Sequence, residues 1–254
     1  MIIRTDETAD IDTPTGPMRV HLFRPAGEGP FGAVVLYSEI YQVTGPIRRL
    51  AAMIAGQGHV VAVPEVYHEY EAPGTILAYD KPGTDRGNTL KFTKPVAGFD
   101  TDSVAVVDWL AAHPACNGAV GTFGVCLGGH LAFRAAMNPK VRAAACFYAT
   151  DIHTGTLGAG RSDDTLARFG DIPGEVMMVW GRQDPHVPFA GRQLIRERLE
   201  EAGTQYTWHE VNGQHAFLRD EGPRYDAALF LDAMMATRTL FARTLCGGPA
   251  RTTS

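Results

Sequence analysis

The stretch Ala119-Val120-Gly121-Thr122-Phe123-Gly124-Val125-Cys126-Leu127-Gly128-Gly129-His130-Leu131-Ala132-Phe133-Arg134 decides the fold. Its first half is apolar, glycine-punctuated and without helical periodicity, so it reads as a buried strand. Its second half reads as a helix, with Leu127, Leu131 and Ala135 at helical spacing and Asn138-Pro139 ending the run. Between them Gly124-x-Cys126-x-Gly128 has the form of a nucleophile elbow, with cysteine where serine is more familiar. So tight a turn brings neighbouring Cβ positions into collision, and glycine therefore flanks the nucleophile. The helix that follows directs its N-terminal N–H groups and positive dipole end at the Cys126 sulfur, which favours thiolate.

With four cysteines and 28 glycines in 254 residues, chance supplies this spacing only about 0.05 times. A free cysteine usually packs as a small buried hydrophobe. The strand–turn–helix setting is what separates Cys126 from that fate.

Working outward, β-α-β alternation surrounds the elbow. Met18 to Phe23 reads as an edge strand, and Ala33 to Tyr37 as a strand buried on both faces. Pro46 opens a helix with Ile47, Leu50, Ala51 and Ile54 on one side, closed by Gly56 and Gly58. His59 to Val63 is the next strand. Glu65 to Pro95 breaks the rhythm and is too long for an ordinary connection, so it is expected near the site, partly helical over Thr75 to Tyr79. Val104, Val107 and Ala111 then mark a helix, and Val141 to Tyr148 follows the elbow as a strand. After a second irregular excursion (Thr150 to Asp171) come a strand at Glu175 to Gly181, a helix at Ala190 to Ala202 and a strand at Gln205 to Val211. A last helix is expected to turn Ala227, Phe230, Leu231 and Met234 inward. This alternation implies an α/β fold with a mostly parallel central sheet and helices on both faces. No repeat or linker interrupts it, so residues 1–254 read as one domain with a loose tail over Gly247 to Ser254.

Composition narrows the function classes. Hydrophobic residues at 45% and charged residues at 20% are globular values. A net charge of −5 argues against nucleic acid and anionic membrane surfaces as partners. No apolar run approaches the roughly 20 residues of a membrane span, and Met1 to Pro17 is too acidic and polar for a secretory signal. Cysteines at 116, 126, 146 and 246 show no paired spacing, which suits reduced thiols in a cytoplasm.

A cysteine nucleophile needs a base, and the base needs an orienting group. Elbow enzymes supply these in the chain order nucleophile, acid, histidine. That order is met by Asp184, after the strand ending Trp180-Gly181, and His215, after the strand ending Val211. Both stand where parallel strands leave their carboxyl ends, the rim on which α/β sheets build sites. His186, His209 and His215 together lack any recognised metal-ligand spacing, so no metal is expected. No G-x-S-x-G, G-x-G-x-x-G or P-loop lysine competes, and no cofactor is expected.

Three blocks, Gly124-Val125-Cys126-Leu127-Gly128-Gly129, Asp184-Pro185-His186-Val187-Pro188 and His215-Ala216-Phe217-Leu218-Arg219, resemble the signatures of the dienelactone hydrolase (carboxymethylenebutenolidase) family. The resemblance runs from about Phe31 to Phe241. It implies an α/β-hydrolase core without a large cap, a Cys126–Asp184–His215 triad and cleavage of a lactone or small ester. It also implies a glutamate near the resting cysteine, matched by Glu39, and an oxyanion hole from the N–H groups of Ile40 and Leu127. Where the family has glycine two residues after that isoleucine, this chain has Gln42. Dienelactone-type members hold the substrate carboxylate with two arginines; Arg219 matches one, and Arg86 is the nearest candidate for the other. A general esterase or thioesterase of small acyl groups fits the same residues. So does a non-catalytic redox sensor on Cys126, with Cys116 or Cys146 as resolving thiol. The oligomeric state is left open.

Overall fold

A computed structural model of the chain describes residues 1–246. The tail expected over Gly247 to Ser254 lies outside the described residues. Eight strands form one sheet: β1 (Ile3–Thr13), β2 (Gly16–Pro25), β3 (Phe31–Tyr37), β4 (His59–Pro64), β5 (Cys116–Val125), β6 (Val141–Phe147), β7 (Glu175–Gly181) and β8 (Gln205–Val211). Their spatial order is β1-β2-β4-β3-β5-β6-β7-β8. The first two pairings in that order are antiparallel and the rest parallel. Helices α1 (Gly45–Gly56), α2 (Lys81–Thr93), α3 (Val96–Ala111), α4 (Leu127–Ala135), α5 (Phe189–Ala202) and α6 (Ala227–Leu245) complete the fold.

The continuous apolar strands are explained by their two buried faces. Along β3, Ala33, Val35 and Tyr37 join a core with α3, α4 and α5, while Val34 and Leu36 join a second core with α1 and α6. Each face takes every other residue, so neither tolerates a polar one.

The structure corrects three expectations. Met18 to Phe23 lies in β2, which is not an edge: β1 covers it as an antiparallel partner. That strand went unread because most of its residues stay at least partly exposed and its inner side mixes Ile3, Ala9 and Ile11 with Thr5, Glu7 and Thr13. Thr75 to Tyr79 is not helical; the helix of that excursion begins only at Lys81, capped by the Asp80 carboxylate accepting from Gly83 N–H at 2.8 Å. On α6 the buried face is Ala233, Met234, Thr237, Leu240 and Phe241, whereas Leu231 is 61% exposed. Within α3, Val104 likewise faces outward and Val106, Val107 and Leu110 face the core.

The parallel strands place their carboxyl ends on one rim. The segments leaving β3, β5, β7 and β8 there carry Glu39 and Ile40, Cys126, Asp184, and His215 respectively.

Candidate active site

The elbow is built on close backbone approach. A Cβ on Gly124 would lie 1.8 Å from the Gly128 carbonyl oxygen, and one on Gly128 would lie 2.1 Å from that of Tyr37. Neither contact is possible for a side chain, which is why glycine occupies both positions. Cys126 itself sits at φ +58°, ψ −122°, a conformation costing of the order of 1–3 kcal/mol. Its backbone is fixed from two sides: its N–H donates to Phe147 O (3.1 Å), and its carbonyl accepts from Gly129 N (3.0 Å) and Thr150 N (3.2 Å). Leu127 is the first residue of α4, so its N–H has no intrahelical acceptor.

His215 and Asp184 come together across two stitched turns. Arg182 N donates to Val211 O (2.8 Å) and Gln183 N to Gly213 O (3.0 Å), locking the loop after β7 to the loop after β8. Within that frame His215 Nδ1–H donates to Asp184 Oδ2 at 2.7 Å, and Asp184 Oδ1 accepts from His186 N–H at 2.8 Å. Burial works against the charged form of His215. The neighbouring Cys126 sulfur and the hydrogen bond and charge of Asp184 outweigh it, pushing the imidazole up to about 9. For Asp184, burial raises the carboxyl, but the His215 hydrogen bond and charge prevail and hold it below the usual range. The His186 ring stands edge-on to His215, 4.5 Å between centroids, and burial together with the His215 charge lowers it. His209 lies within β8 instead.

Cys126, His215, Ile40, Glu39 and Arg219 all line one cavity of about 470 Å³. Glu39 is buried, its Oε1 accepting from the Tyr79 hydroxyl at 2.7 Å and its Oε2 lying 3.5 Å from Arg219 Nη1. Burial raises the Glu39 carboxyl, with Arg219 and Tyr79 opposing. The Arg219 guanidinium also stacks over the Tyr79 ring at 4.4 Å. Its sequence neighbours Asp220 and Glu221 are taken instead by Arg49, at 2.6 Å each. Gln42 keeps the left-handed backbone a glycine would adopt, at φ +66°. Its amide bridges to the 65–80 excursion, donating to Thr75 O and accepting from Tyr67 N–H.

Arg86 is not brought to the cavity. It bonds Glu71 at 2.6 Å on the outer side of α2. The cation α2 does contribute is Lys91, paired with Asp151 (3.0 and 3.2 Å). Lys91, Asp151, Tyr79 and Arg224 were not readable from the sequence, because the two excursions and the turn that carry them lack periodicity. Cys116 and Cys126 stand at opposite ends of β5, about 30 Å apart at strand rise. Burial pushes the Cys116 thiol up to about 12 and that of the fully buried Cys146 up as well, so neither suits a resolving role. Among the described residues, the one metal-like grouping, His68, Glu69 and Asp102, already holds a cation: the buried Lys94 ammonium contacts Glu69 and Asp102 and donates to Val66 O at 3.1 Å.

A doubly covered, mostly parallel sheet with a strained turn between β5 and α4, an acid after β7 and a histidine after β8 defines an α/β hydrolase. The chain belongs to the dienelactone hydrolase family, which it matches over residues 18–245. It is 43% identical over 237 residues to a Saccharomyces cerevisiae protein named "Putative carboxymethylenebutenolidase", covering 89% of this chain and 86% of that one. With the Pseudomonas putida carboxymethylenebutenolidase the identity is 28% over 207 residues, 79% of this chain and 81% of the other. Among solved structures, the Klebsiella pneumoniae "Putative Dienelactone Hydrolase" superposes with a TM-score of 0.82 at 23% identity, over 96% of this chain and all of that one. Among the described residues no helix is long and apolar enough to cross a membrane.

Proposed function

We propose that this protein hydrolyses a lactone or small carboxylic ester through a thioester on Cys126, with Asp184 and His215 completing a triad. The observation that carries the reading is the His215 imidazole, hydrogen-bonded to Asp184 and lining one cavity with Cys126. The relatives' names, carboxymethylenebutenolidase, point to the same bond type.

The Cys126 thiol passes its proton to His215, and the resulting thiolate attacks the acyl carbon while the carbonyl π electrons move to oxygen. The N–H groups of Leu127 and Ile40 receive that oxyanion, a contribution of ~3–4 kcal/mol per donor in such sites. Collapse expels the alkoxide, which takes its proton from the His215 imidazolium; in a lactone it stays attached as the opened hydroxy acid. His215, now neutral and oriented by Asp184, removes a proton from water, the hydroxide attacks the thioester, and Cys126 leaves as thiolate. Glu39 assists deprotonation of the thiol. The substrate is anionic on this reading, because cations outnumber acids among the charged cavity-lining side chains. The four thiols, free among the described residues, suit a reducing cytoplasm.

Hydrolysis of a 4-nitrophenyl ester by the native protein, by protein blocked with iodoacetamide and by Cys126→Ala tests the reading. Blocking and substitution should each remove nearly all turnover, since losing a nucleophile or base costs over ~10²-fold. A Cys126→Ala variant keeping more than about a tenth of kcat would refute it.

A further inference from the structure

Five carboxylate, ammonium or guanidinium side chains line the cavity: Glu39, Lys91, Asp151, Arg219 and Arg224. Both acids are already matched. Glu39 faces Arg219 at 3.5 Å and accepts from Tyr79, and Asp151 holds the Lys91 ammonium at 3.0 Å. One positive charge is therefore left over, in a chain whose net charge is −5. That charge is Arg224: among the described residues no carboxylate stands within ion-pair distance of it. Its sequence neighbours are committed elsewhere. Asp220 and Glu221 bind Arg49, and the Asp226 carboxylate caps α6 by accepting from Ala228 and Leu229 N–H at 3.0 Å.

The turn carrying Arg224 is firmly held. Tyr225 N donates to Gly222 O (3.2 Å), and Asp226 N donates to Phe217 O (3.1 Å) on the loop of His215 itself. A partly buried guanidinium, presented from fixed backbone into the cavity of the reacting groups, is a receptor awaiting an anion. Arg219, the arginine expected in that role, already sets its charge against Glu39, although its buried Nε–H has no partner among the described residues.

We propose that Arg224 is the specificity-determining cation of this site: it receives a carboxylate carried by the ester or lactone, while Arg219 holds Glu39. This rests on the hydrolase reading above. A carboxylate docked at Arg224 neutralises the surplus charge, whereas a neutral substrate leaves the guanidinium half desolvated and unpaired.

The test compares mono-4-nitrophenyl adipate, which carries a carboxylate, with neutral 4-nitrophenyl hexanoate, and reads the ratio of their kcat/KM values. The native protein should favour the adipate. Arg224→Ala should lower the ratio by roughly 10- to 150-fold, the span of one charge-assisted hydrogen bond, mainly through a higher KM for the adipate. Arg224→Lys keeps the charge and should retain most of the preference, which separates charge from folding. A native protein without preference, an unchanged ratio in Arg224→Ala, or a ratio that collapses in Arg219→Ala but not in Arg224→Ala overturns the assignment. Failure of the hydrolase reading looks different: Cys126→Ala would then keep its turnover of both esters, whatever Arg224 does.

Discussion

Arg219 lies against Glu39, Nη1 to Oε2 3.5 Å, with both side chains about nine-tenths buried or more. The Tyr79 hydroxyl holds the other Glu39 oxygen, and the guanidinium in turn covers the Tyr79 ring. A residue from β3's exit, one from the long excursion and one from the histidine loop thus form a single closed unit beside Cys126. The carboxylate is compensated from within the protein, without a substrate to neutralise it.

Removing one partner of a buried ion pair leaves the other charge stranded, at a cost of about 3 kcal/mol. Arg219→Ala should therefore destabilise the fold by roughly that amount, and adding Glu39→Gln should recover most of it. Denaturant unfolding of the two single variants and the double variant measures the coupling. Additive losses would show that the two side chains do not depend on each other.

His215 makes the protein's stability depend on pH in a defined window. Its imidazole is held up to about 9, against 6.5 for the free group. Below pH 6.5 the unfolded chain is protonated there too, and the favourable interactions of the imidazolium stabilise the fold in full. As pH rises through about 9 the native state loses that proton and the contribution with it. The gap in Tm between the native protein and His215→Gln should accordingly narrow from pH 6.5 to pH 9. Asp184 acts at the other end: held below 3.8, it contributes above that value and loses its contribution as pH falls through the lowered one. Parallel Tm curves for native and His215→Gln protein across both ranges would contradict the charge pairing.

What could be read from the sequence follows physical strictness. The elbow was legible because steric exclusion leaves only glycine at 124 and 128, and because the second part of β5 is buried on both faces and is apolar but for Thr122. Asp184 and His215 were legible because strand ends mark the rim. Arg86 was chosen within a stretch lacking periodicity, where nothing in a linear sequence says which side of α2 faces the cavity. Lys91, five residues further along the same helix, turned out to face it. The strand β1 escaped because its inner side carries only Ile3, Ala9 and Ile11 among Thr5, Glu7 and Thr13, an apolar alternation too weak to read. Arg224 was invisible for another reason: what marks it is the absence of an ion-pair partner among the described residues, a property of three dimensions only.

The same strictness separates glycines that look alike in sequence. Gly128→Ala would place a methyl 2.1 Å from a backbone carbonyl that cannot yield, whereas a Cβ on Gly56, at the end of α1, meets nothing within 4 Å. Gly128→Ala should cost about 4 kcal/mol or more, or prevent folding altogether. Gly56→Ala should be neutral or stabilising by up to ~1 kcal/mol, because alanine favours helix. Thermal unfolding decides, and similar Tm values for the two variants would refute the close-packed elbow.

Gln42 offers a cleaner separation of backbone strain from side-chain bonding. At φ +66° it occupies backbone space that disfavours any residue with a Cβ, by ~1–2 kcal/mol. In return its amide ties the loop after β3 to the excursion, donating to Thr75 O at 3.1 Å and accepting from Tyr67 N–H at 3.4 Å. Gln42→Ala loses both bonds and keeps the strain, while Gln42→Gly loses both bonds and relieves it. The glycine variant should thus be the more stable of the two by about 1 kcal/mol, even though glycine is normally the worse residue for a folded chain. Both should raise KM for ester hydrolysis to a similar degree, because the excursion that carries Tyr79 and Lys91 loses the same anchor in each. Urea unfolding and steady-state kinetics on the pair provide the check. An alanine variant as stable as the glycine one would mean that residue 42 leaves the left-handed region once its side chain is gone. The amide bonds, rather than the turn itself, would then be what imposes that conformation.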